Sequence, residues 1–212
     1  TSSVNQACLE AGTSDAVRQL LATTKQADVI MAPAADMFEM GVKVQVLKRG
    51  TMFAMRGAKL FELYRAHGSI EELPPAELAK LEKTFFRAPI DQVWENTKSY
   101  FEATDPAQIE NAQADKKHKM ALIFRSYLGQ ASGWANRGVE DRKIDYQIWC
   151  GPSMGSFNEW VKGSFLESWE NRKVAAVAKN ILTGTAITLR AATLRQQGVD
   201  FPASAAQFTP QQ

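Results

Sequence analysis

The chain has 212 residues, 45% of them hydrophobic, which is enough to bury the core of one domain or of two small ones. Its formal net charge of +2 is too small to indicate a nucleic-acid or membrane-surface partner. Two widely spaced cysteines, Cys8 and Cys150, indicate neither a disulfide framework nor a metal site, and a reducing, cytoplasmic setting is expected.

Helical periodicity dominates, starting with a short helix predicted at 14–23 and capped by Thr13 or Ser14. Only three short strands are predicted, at 28–31, 43–47 and 145–149. Three such strands are too few to build a large sheet. The chain is therefore predicted to be mainly helical.

Prolines divide the middle of the chain into helices. One helix is predicted to start at Pro75, and a second follows Pro89, because proline suits the first turn of a helix. A third, short helix is predicted after Asp105 and Pro106, with Asp105 as the N-cap and Gln108 completing a capping box.

Two longer helices are predicted in the second half. Apolar residues recur at steps of three and four over 116–136 and over about 170–197. Gly184 is expected to bend the last helix and Gly198 to end it. The tail at 201–212 is predicted to be frayed, because it has little to bury.

The segment 31–56 is an unusual connection between helical regions. Two phenylalanines, Phe38 and Phe53, accompany five methionines: Met31, Met37, Met40, Met52 and Met55. These side chains could fill an irregular core, or they could form an apolar wall for a ligand. Small residues at 32–35 would let a backbone approach closely, and Lys48, Arg49 and Arg56 add positive charge. An apolar ligand with an anionic end fits the second reading.

Few other residues carry a chemical signal. His67 and His118 lack partners at metal-ligand spacing, so surface or helix-end roles are favoured. Cys150 fits a buried, inert thiol better than a reactive one. The polar residues at 1–6 and 12–14 suit either a phosphate site or a capped surface turn.

Three segments carry a family resemblance: ADVIMAPAADMFEMGVKVQVLKRGTMF, KKHKMALIFRSYLGQASGWANRG and DYQIWCGPSMGSFNEWVKGS. Together they resemble the PfaD family of trans-acting enoyl reductases, which are related to 2-nitropropane dioxygenases. The resemblance implies a TIM-type barrel that binds FMN, NADPH or NADH as reductant, and an enoyl thioester carried by an acyl carrier protein.

The same resemblance implies that most of the barrel lies upstream. Residues 1–6 resemble the end of the eighth barrel strand, which makes Ser2 and Ser3 candidate FMN contacts. The catalytic histidine and the glycine-rich phosphate loop are expected upstream, so no catalytic residue is assigned. Lys48, Arg49 and Arg56 are candidate contacts for the substrate or for a phosphate, on a segment expected to cover the flavin.

These expectations combine into one prediction and one alternative. The chain is predicted to be the C-terminal end of an FMN-binding (β/α)8 barrel at 1–56, a helical subdomain at 57–200 and the tail at 201–212. Its predicted function is part of an enoyl reductase of polyunsaturated fatty acid or polyketide biosynthesis, inactive as this chain alone. The alternative is a non-catalytic helical interaction module. Homo-oligomerisation is left open, and no metal, nucleic-acid or membrane partner is expected.

Overall fold

A computed structural model describes residues 2–212, and Thr1 lies outside the described residues. The chain is mainly helical, as predicted. Its α-helices are α1 (Ser2–Asn5), α2 (Asp15–Ala22), α3 (Phe53–Ala66), α4 (Pro75–Lys80), α5 (Ile90–Thr104), α6 (Ala107–Ala114), α7 (Lys116–Arg137), α8 (Ser153–Val161) and α9 (Val174–Gln196). The strands β1 (Val29–Pro33) and β2 (Lys43–Leu47) form a two-stranded sheet.

Shorter helical segments fill the connections. Helix α4 continues directly into a π-helix, Leu81–Phe86. The 3-10 segments are Gln26–Asp28, Ile70–Glu72, Glu140–Asp145, Trp169–Asn171 and Ala203–Ala206. Among residues 2–212, no helix is both long and apolar enough to cross a lipid bilayer.

The chain forms two compact units. The first unit combines the residues up to Val29 with 150–212, and the second unit is the continuous stretch 30–149. The first unit is therefore discontinuous in sequence. The division predicted from the sequence, into 1–56, 57–200 and 201–212, differs from these two units.

Helix α7 is the centre of the second unit. Nine of its 22 residues are buried, and it contacts α3, α5 and α6. The Asp115 side chain caps its first turn by accepting the Lys117 N–H at 2.8 Å. Gly138 ends the helix in the left-handed conformation at φ +66°, which glycine adopts without strain. The stripe predicted at 116–136 is confirmed.

The capping box predicted for α6 is wrong. The residue before the helix is Pro106, and the Gln108 side-chain amide donates to the Asp105 carboxylate at 3.0 Å, whereas in a capping box the Gln108 side chain would accept the Asp105 backbone N–H. Because the proline occupies the N-cap, Asp105 lies one position too early to cap the helix.

The first unit contains a close crossing between α8 and the residues after α2. A Cβ atom on Gly155 would lie 2.1 Å from the Gln26 backbone nitrogen, so only glycine fits there. Three residues further on, the Asn158 side-chain amide donates to the carbonyls of Leu21 and Thr24 at 2.7 and 2.8 Å. These contacts fix α8 against the end of α2.

The prediction of a frayed tail is wrong. Asn180 and Gln211 exchange two hydrogen bonds of 2.8 Å, one in each direction. The indole N–H of Trp160 donates to the Phe208 carbonyl at 3.3 Å, and Pro210 is buried. Partners distant in sequence therefore hold a segment whose composition suggested disorder.

Two strand predictions also change. The predicted barrel-strand end falls on α1, where the Gln6 N–H bonds to the Ser2 carbonyl at 3.2 Å. Backbone groups there pair along the chain, whereas a strand needs a neighbouring strand. Residues 145–149 contribute one isolated bridge, from Trp149 to Val46, because the preceding residues are 3-10 helical.

Candidate functional site

The five methionines of segment 31–56 lie on the surface. Met40 and Met55 are 77% and 63% exposed, and the other three are also exposed. Phe38 and Phe53 of the same segment are fully buried. The reading in which the methionines fill an irregular core is therefore wrong, and the phenylalanines have that role. We call Met31, Met37, Met40, Met52 and Met55 the methionine surface.

Phe38 anchors the loop that carries Met37 and Met40. Its ring packs at centroid distances of 5.5, 5.3 and 6.3 Å against Phe61, Tyr64 and Phe124. Aromatic pairs at these distances stabilise packing beyond the buried area alone. The buried Phe38 ring therefore holds the loop in place while its methionines face solvent.

Glu39 provides a second anchor for this loop. Its carboxylate contacts His118 Nδ1 at 2.9 Å and Arg125 Nη1 at 3.7 Å. His118 Nε2 contacts the Gln108 side-chain oxygen at 3.0 Å, and Arg125 Nε donates to the Ala35 carbonyl at 2.9 Å. His118 therefore ties the loop to α6 and α7, and its place in the first turn of α7 agrees with the predicted helix-end role.

The small residues near the start of the segment serve internal packing. Ala32 and Ala34 are fully buried. A Cβ on Gly57 would lie 3.3 Å from both Pro33 and Leu128, so α3 crosses β1 and α7 closely. At Pro33 the approaching backbone is that of α3, and the burial of Ala32 and Ala34 gives these two alanines a packing role.

Lys48 and Arg49 are exposed at a turn that follows β2. We call these two residues the basic tip. Gly50 adopts φ +80°, which favours glycine. The Thr51 hydroxyl donates to the Tyr146 carbonyl at 2.8 Å and accepts the Phe53 N–H at 3.0 Å. The basic tip therefore projects from a turn whose base is held by hydrogen bonds.

Arg56 is not part of the basic tip. Its guanidinium forms an ion pair with the fully buried Asp145 and donates to the Thr84 carbonyl at 2.9 Å. It also lies 5.1 Å from the centre of the Phe85 ring. The side chain is already occupied inside the second unit, so the structure does not bring it together with Lys48 and Arg49.

Sequence reasoning missed the group around Asp145. The Tyr127 hydroxyl donates to Asp145 at 2.7 Å, and Arg142 and Arg87 approach its second oxygen at 3.3 and 3.5 Å. We call Asp145, Arg56, Arg87, Arg142 and Tyr127 the Asp145 cluster. Its residues span almost ninety positions, and only the Arg142–Asp145 spacing of three residues gave a local signal.

The Asp145 cluster caps the π-helix. Arg142 donates to the carbonyls of Phe85 and Phe86, both at 2.6 Å. Arg56 serves the Thr84 carbonyl in the same segment, so two guanidinium groups satisfy three carbonyls at its end. Burial and the neighbouring Asp145 raise the pKa of Tyr127 well above its usual range, which keeps the phenol protonated as a donor. These roles are structural.

In the first unit, Ser2 is exposed and Ser3 is buried. The Ser3 oxygen accepts the Gly151 N–H at 2.9 Å. A hydroxyl also carries one donor, so this bond leaves Ser3 chemically able to donate to a phosphate oxygen.

The other polar groups near the chain start have local partners. The Thr13 hydroxyl donates to the Gln6 carbonyl at 2.8 Å, and Ser14 caps α2 by accepting the Val17 N–H. These bonds support the capped-turn reading of 12–14. Burial, followed by the nearby Asp28, raises the pKa of Cys150 to about 11, as expected for an inert thiol. The residues from 2 to 212 contain no cluster that could hold a metal ion.

Comparison with known proteins connects these units to biosynthetic enzymes. Residues 67–146 match the family described as "[Acyl-carrier-protein] S-malonyltransferase, inserted helical domain". The matched stretch lies inside the second unit. It covers well under half of the chain and by itself assigns no activity.

A solved structure extends the likeness to nearly the whole chain. The enoyl reductase domain of MlnA, from the macrolactin biosynthesis cluster of Bacillus amyloliquefaciens, is 38% identical with a TM-score of 0.84. Over the matched residues the chain shares the fold of that domain. The match covers 90% of this chain and 43% of the MlnA chain.

Two curated relatives come from lipid and polyketide synthesis. One component of the polyunsaturated fatty acid synthase of Thraustochytrium sp. is 47% identical over 200 residues, which are 92% of this chain and 13% of that component. The polyketide biosynthesis protein PksE of Bacillus subtilis is 49% identical over 189 residues, 89% of this chain and 24% of PksE. The chain therefore spans a quarter or less of either relative.

Proposed function

We propose that this chain is the C-terminal part of a flavin-dependent enoyl reductase that acts on carrier-bound enoyl thioesters in polyunsaturated fatty acid or polyketide biosynthesis. The observation that carries the proposal is the likeness to the MlnA enoyl reductase domain over 90% of the chain at 38% identity. Relatives named for both kinds of biosynthesis support the same assignment.

FMN is the proposed cofactor, with NADPH or NADH as reductant. Ser2 and Ser3 fit one edge of a phosphate site, since a hydroxyl at each can donate to a phosphate oxygen. A phosphate requires more donors than two hydroxyls, so other parts of the protein complete the site. When bound, FMN would pass hydride from the nicotinamide to the enoyl group.

The methionine surface is proposed to contact the flavin or the acyl chain. Methionine side chains are flexible and polarizable, so they adapt to apolar partners of varied shape. The anchors at Phe38 and Glu39 hold the loop that carries Met37 and Met40, which leaves this adaptation to the exposed side chains of these two residues. The basic tip would bind a phosphate of the flavin, the nicotinamide or the carrier's prosthetic arm.

The test is enoyl-thioester reduction by the longer protein that contains this chain, with Lys48→Ala/Arg49→Ala as the variant. Charge-assisted contacts to phosphate contribute roughly 1.5–3 kcal/mol, so the affinity for the anionic ligand should fall by roughly 10-fold to 150-fold. Surface charges contribute under about 1 kcal/mol to folding, so the melting temperature should hardly change. Steady-state kinetics and FMN titration measure the first effect, and a melting curve measures the second.

The outcomes separate the ligands of the basic tip. A higher KM for the carrier-bound thioester alone assigns the tip to the carrier, and weaker FMN retention assigns it to the flavin. The matched control is Lys98→Ala, a partly exposed lysine on α5, which should change neither. Normal kinetics and normal FMN affinity in the double variant would show that the basic tip is a solvated turn and binds no ligand. Absence of any enoyl reduction in the unchanged protein would refute the proposed function.

A second candidate function is a helical interaction module. It is favoured by one observation, namely that the charged side chains of the Asp145 cluster bind one another and the carbonyls of a π-helix. The same enoyl-reduction assay separates the two candidates.

A further inference from the structure

Helix α9 is largely uncovered. Only Val177, Asn180 and Ala191 of its 23 residues are buried, whereas nine of the 22 residues of α7 are buried. A helix packed like α7 buries a broad stripe, so α9 uses only part of its surface within the first unit.

The uncovered side of α9 carries a regular apolar stripe. Its members recur at alternating steps of three and four and are all exposed: Ala175, Ala178, Leu182, Thr185, Leu189 and Ala192. We call these residues the α9 seam. Leu182 and Leu189, its two large side chains, are 70% and 63% exposed. This spacing places the stripe on one face, and its mixture of small and large side chains suits a second helix.

Positive charge flanks the seam. Lys179 and Arg190 are eleven residues apart, about three helical turns, so they lie along the same side of α9. No acidic residue occurs from Val174 to Val199. The complementary surface is therefore an amphipathic helix with carboxylates along one flank.

A groove borders the seam on the side opposite its basic flank. Its volume is about 550 Å³, and its walls include Ile181 and Thr188 of α9 together with Trp160 and Phe208. Gly184 makes room for both rings, since a Cβ there would lie 3.2 Å from each. The paired hydrogen bonds of Asn180 with Gln211 hold the tail that forms this wall. The groove is preformed and suits one bulky apolar side chain.

Other occupants fit less well. A membrane-surface helix needs large apolar side chains along its buried face, and four of the six seam residues are alanine or threonine. A second copy of α9 would bring cations and no carboxylates. An acidic helix satisfies both the seam and its flank.

We propose that the α9 seam, its basic flank and the adjoining groove form the docking surface for an acidic helical acyl carrier protein. This inference rests on the proposed function, in which the carrier is the macromolecular partner. A carrier helix would lie along the seam, direct its carboxylates at Lys179 and Arg190, and place an apolar side chain in the groove.

The experiment compares two substrates in the longer protein that contains this chain: an enoyl thioester on the carrier protein and the same enoyl group on N-acetylcysteamine. The variants are Leu182→Glu/Leu189→Glu and Lys179→Glu/Arg190→Glu. The KM for the carrier-bound substrate should rise at least about tenfold in each, since like charges oppose the carrier helix. The kcat and the kinetics with N-acetylcysteamine thioester should not change.

The matched control is Gln92→Glu/Ser99→Glu, which places two carboxylates seven residues apart on the exposed side of α5 and should leave both KM values unchanged. Binding of the unloaded carrier protein, measured by calorimetry, provides a readout independent of catalysis. If the unchanged protein reduces neither substrate but binds the carrier through α9, the proposed function fails and the docking surface stands.

Three results would overturn the docking surface. The first is unchanged carrier binding and KM in both variants. The second is a lower melting temperature in Leu182→Glu/Leu189→Glu together with normal carrier binding by Lys179→Glu/Arg190→Glu, which would place another part of the polypeptide on the seam. The third is a changed oligomeric state with carrier binding intact, which would make the seam a contact between copies of this chain.

Discussion

Segment 31–56 contributes residues both to the buried Asp145 cluster and to the exposed methionine surface. Arg56 turns inward to Asp145, whereas Met55, its immediate neighbour, is 63% exposed. The inward group is charged and the outward group is apolar, which reverses the usual preference. A buried charge is tolerated where partners surround it, whereas a group of exposed apolar side chains is a feature of surfaces that contact another molecule.

The largest expected effect breaks the inward side of this comparison. Asp145→Ala leaves three guanidinium groups and the Tyr127 hydroxyl without their shared acceptor. Breaking a buried ion pair in this way should lower the free energy of unfolding by about 3–5 kcal/mol. Urea unfolding measures the loss. Asp141→Asn is the matched control, because Asp141 is exposed and pairs with Arg87 at 3.3 Å, and its cost should stay below about 1 kcal/mol. Equal costs would mean that Asp145 is not the centre of the cluster.

A smaller effect is expected from Tyr127→Phe, which removes the 2.7 Å bond to Asp145. A hydrogen bond to a charged group contributes about 1.5–3 kcal/mol, so unfolding at neutral pH should become easier by that amount. The pKa of Tyr127 is raised in the folded state, so the folded protein binds this proton more tightly than the unfolded chain.

The free energy of unfolding should therefore fall as pH rises above about 10, the pKa of an ordinary tyrosine, and the fall should be shallower in Tyr127→Phe. Urea unfolding at pH 7 and between pH 9 and 11 checks both points. Parallel pH curves for the two proteins would contradict the raised pKa.

The smallest expected effect concerns the methionine surface. Met40→Gln/Met55→Gln should change the free energy of unfolding by less than about 0.5 kcal/mol per site, because both side chains are mostly in solvent. Phe38→Ala, in the loop that carries Met40, should cost about 3–5 kcal/mol, because its ring is fully buried. Thermal unfolding of the three proteins distinguishes them. Marked destabilisation by the glutamine variant would show that the methionines belong to the core.

Local patterns predicted local structure well. The apolar stripe and proline positions located α5 and α7, and Ser14 caps α2 as expected. The π-helix was not predicted, because its carbonyls are satisfied by Arg56 and Arg142, residues that are distant in sequence. For the same reason the tail was misjudged, since its order depends on Asn180 and Trp160.

The same contrast between local and distant residues applies to the candidate site. The sequence indicates segment 31–56 as a candidate binding segment, with Lys48, Arg49 and Arg56 as its candidate contacts. It could not tell Arg56 from the residues of the basic tip, because all three are cations in one connection. Burial separates them, and burial depends on Asp145, almost ninety residues away.

Two helical glycines show how unevenly the chain tolerates change. Gly129 of α7 has nothing within 4 Å of the place where a Cβ would stand, whereas at Gly155 of α8 the Gln26 backbone occupies that place at 2.1 Å. In a library of random variants, position 129 would accept many amino acids and position 155 would retain one. An insertion that moved Gly155 away from the Gln26 backbone would be eliminated for the same reason. Among diverged homologues, position 155 would therefore serve as a fixed mark for aligning their sequences.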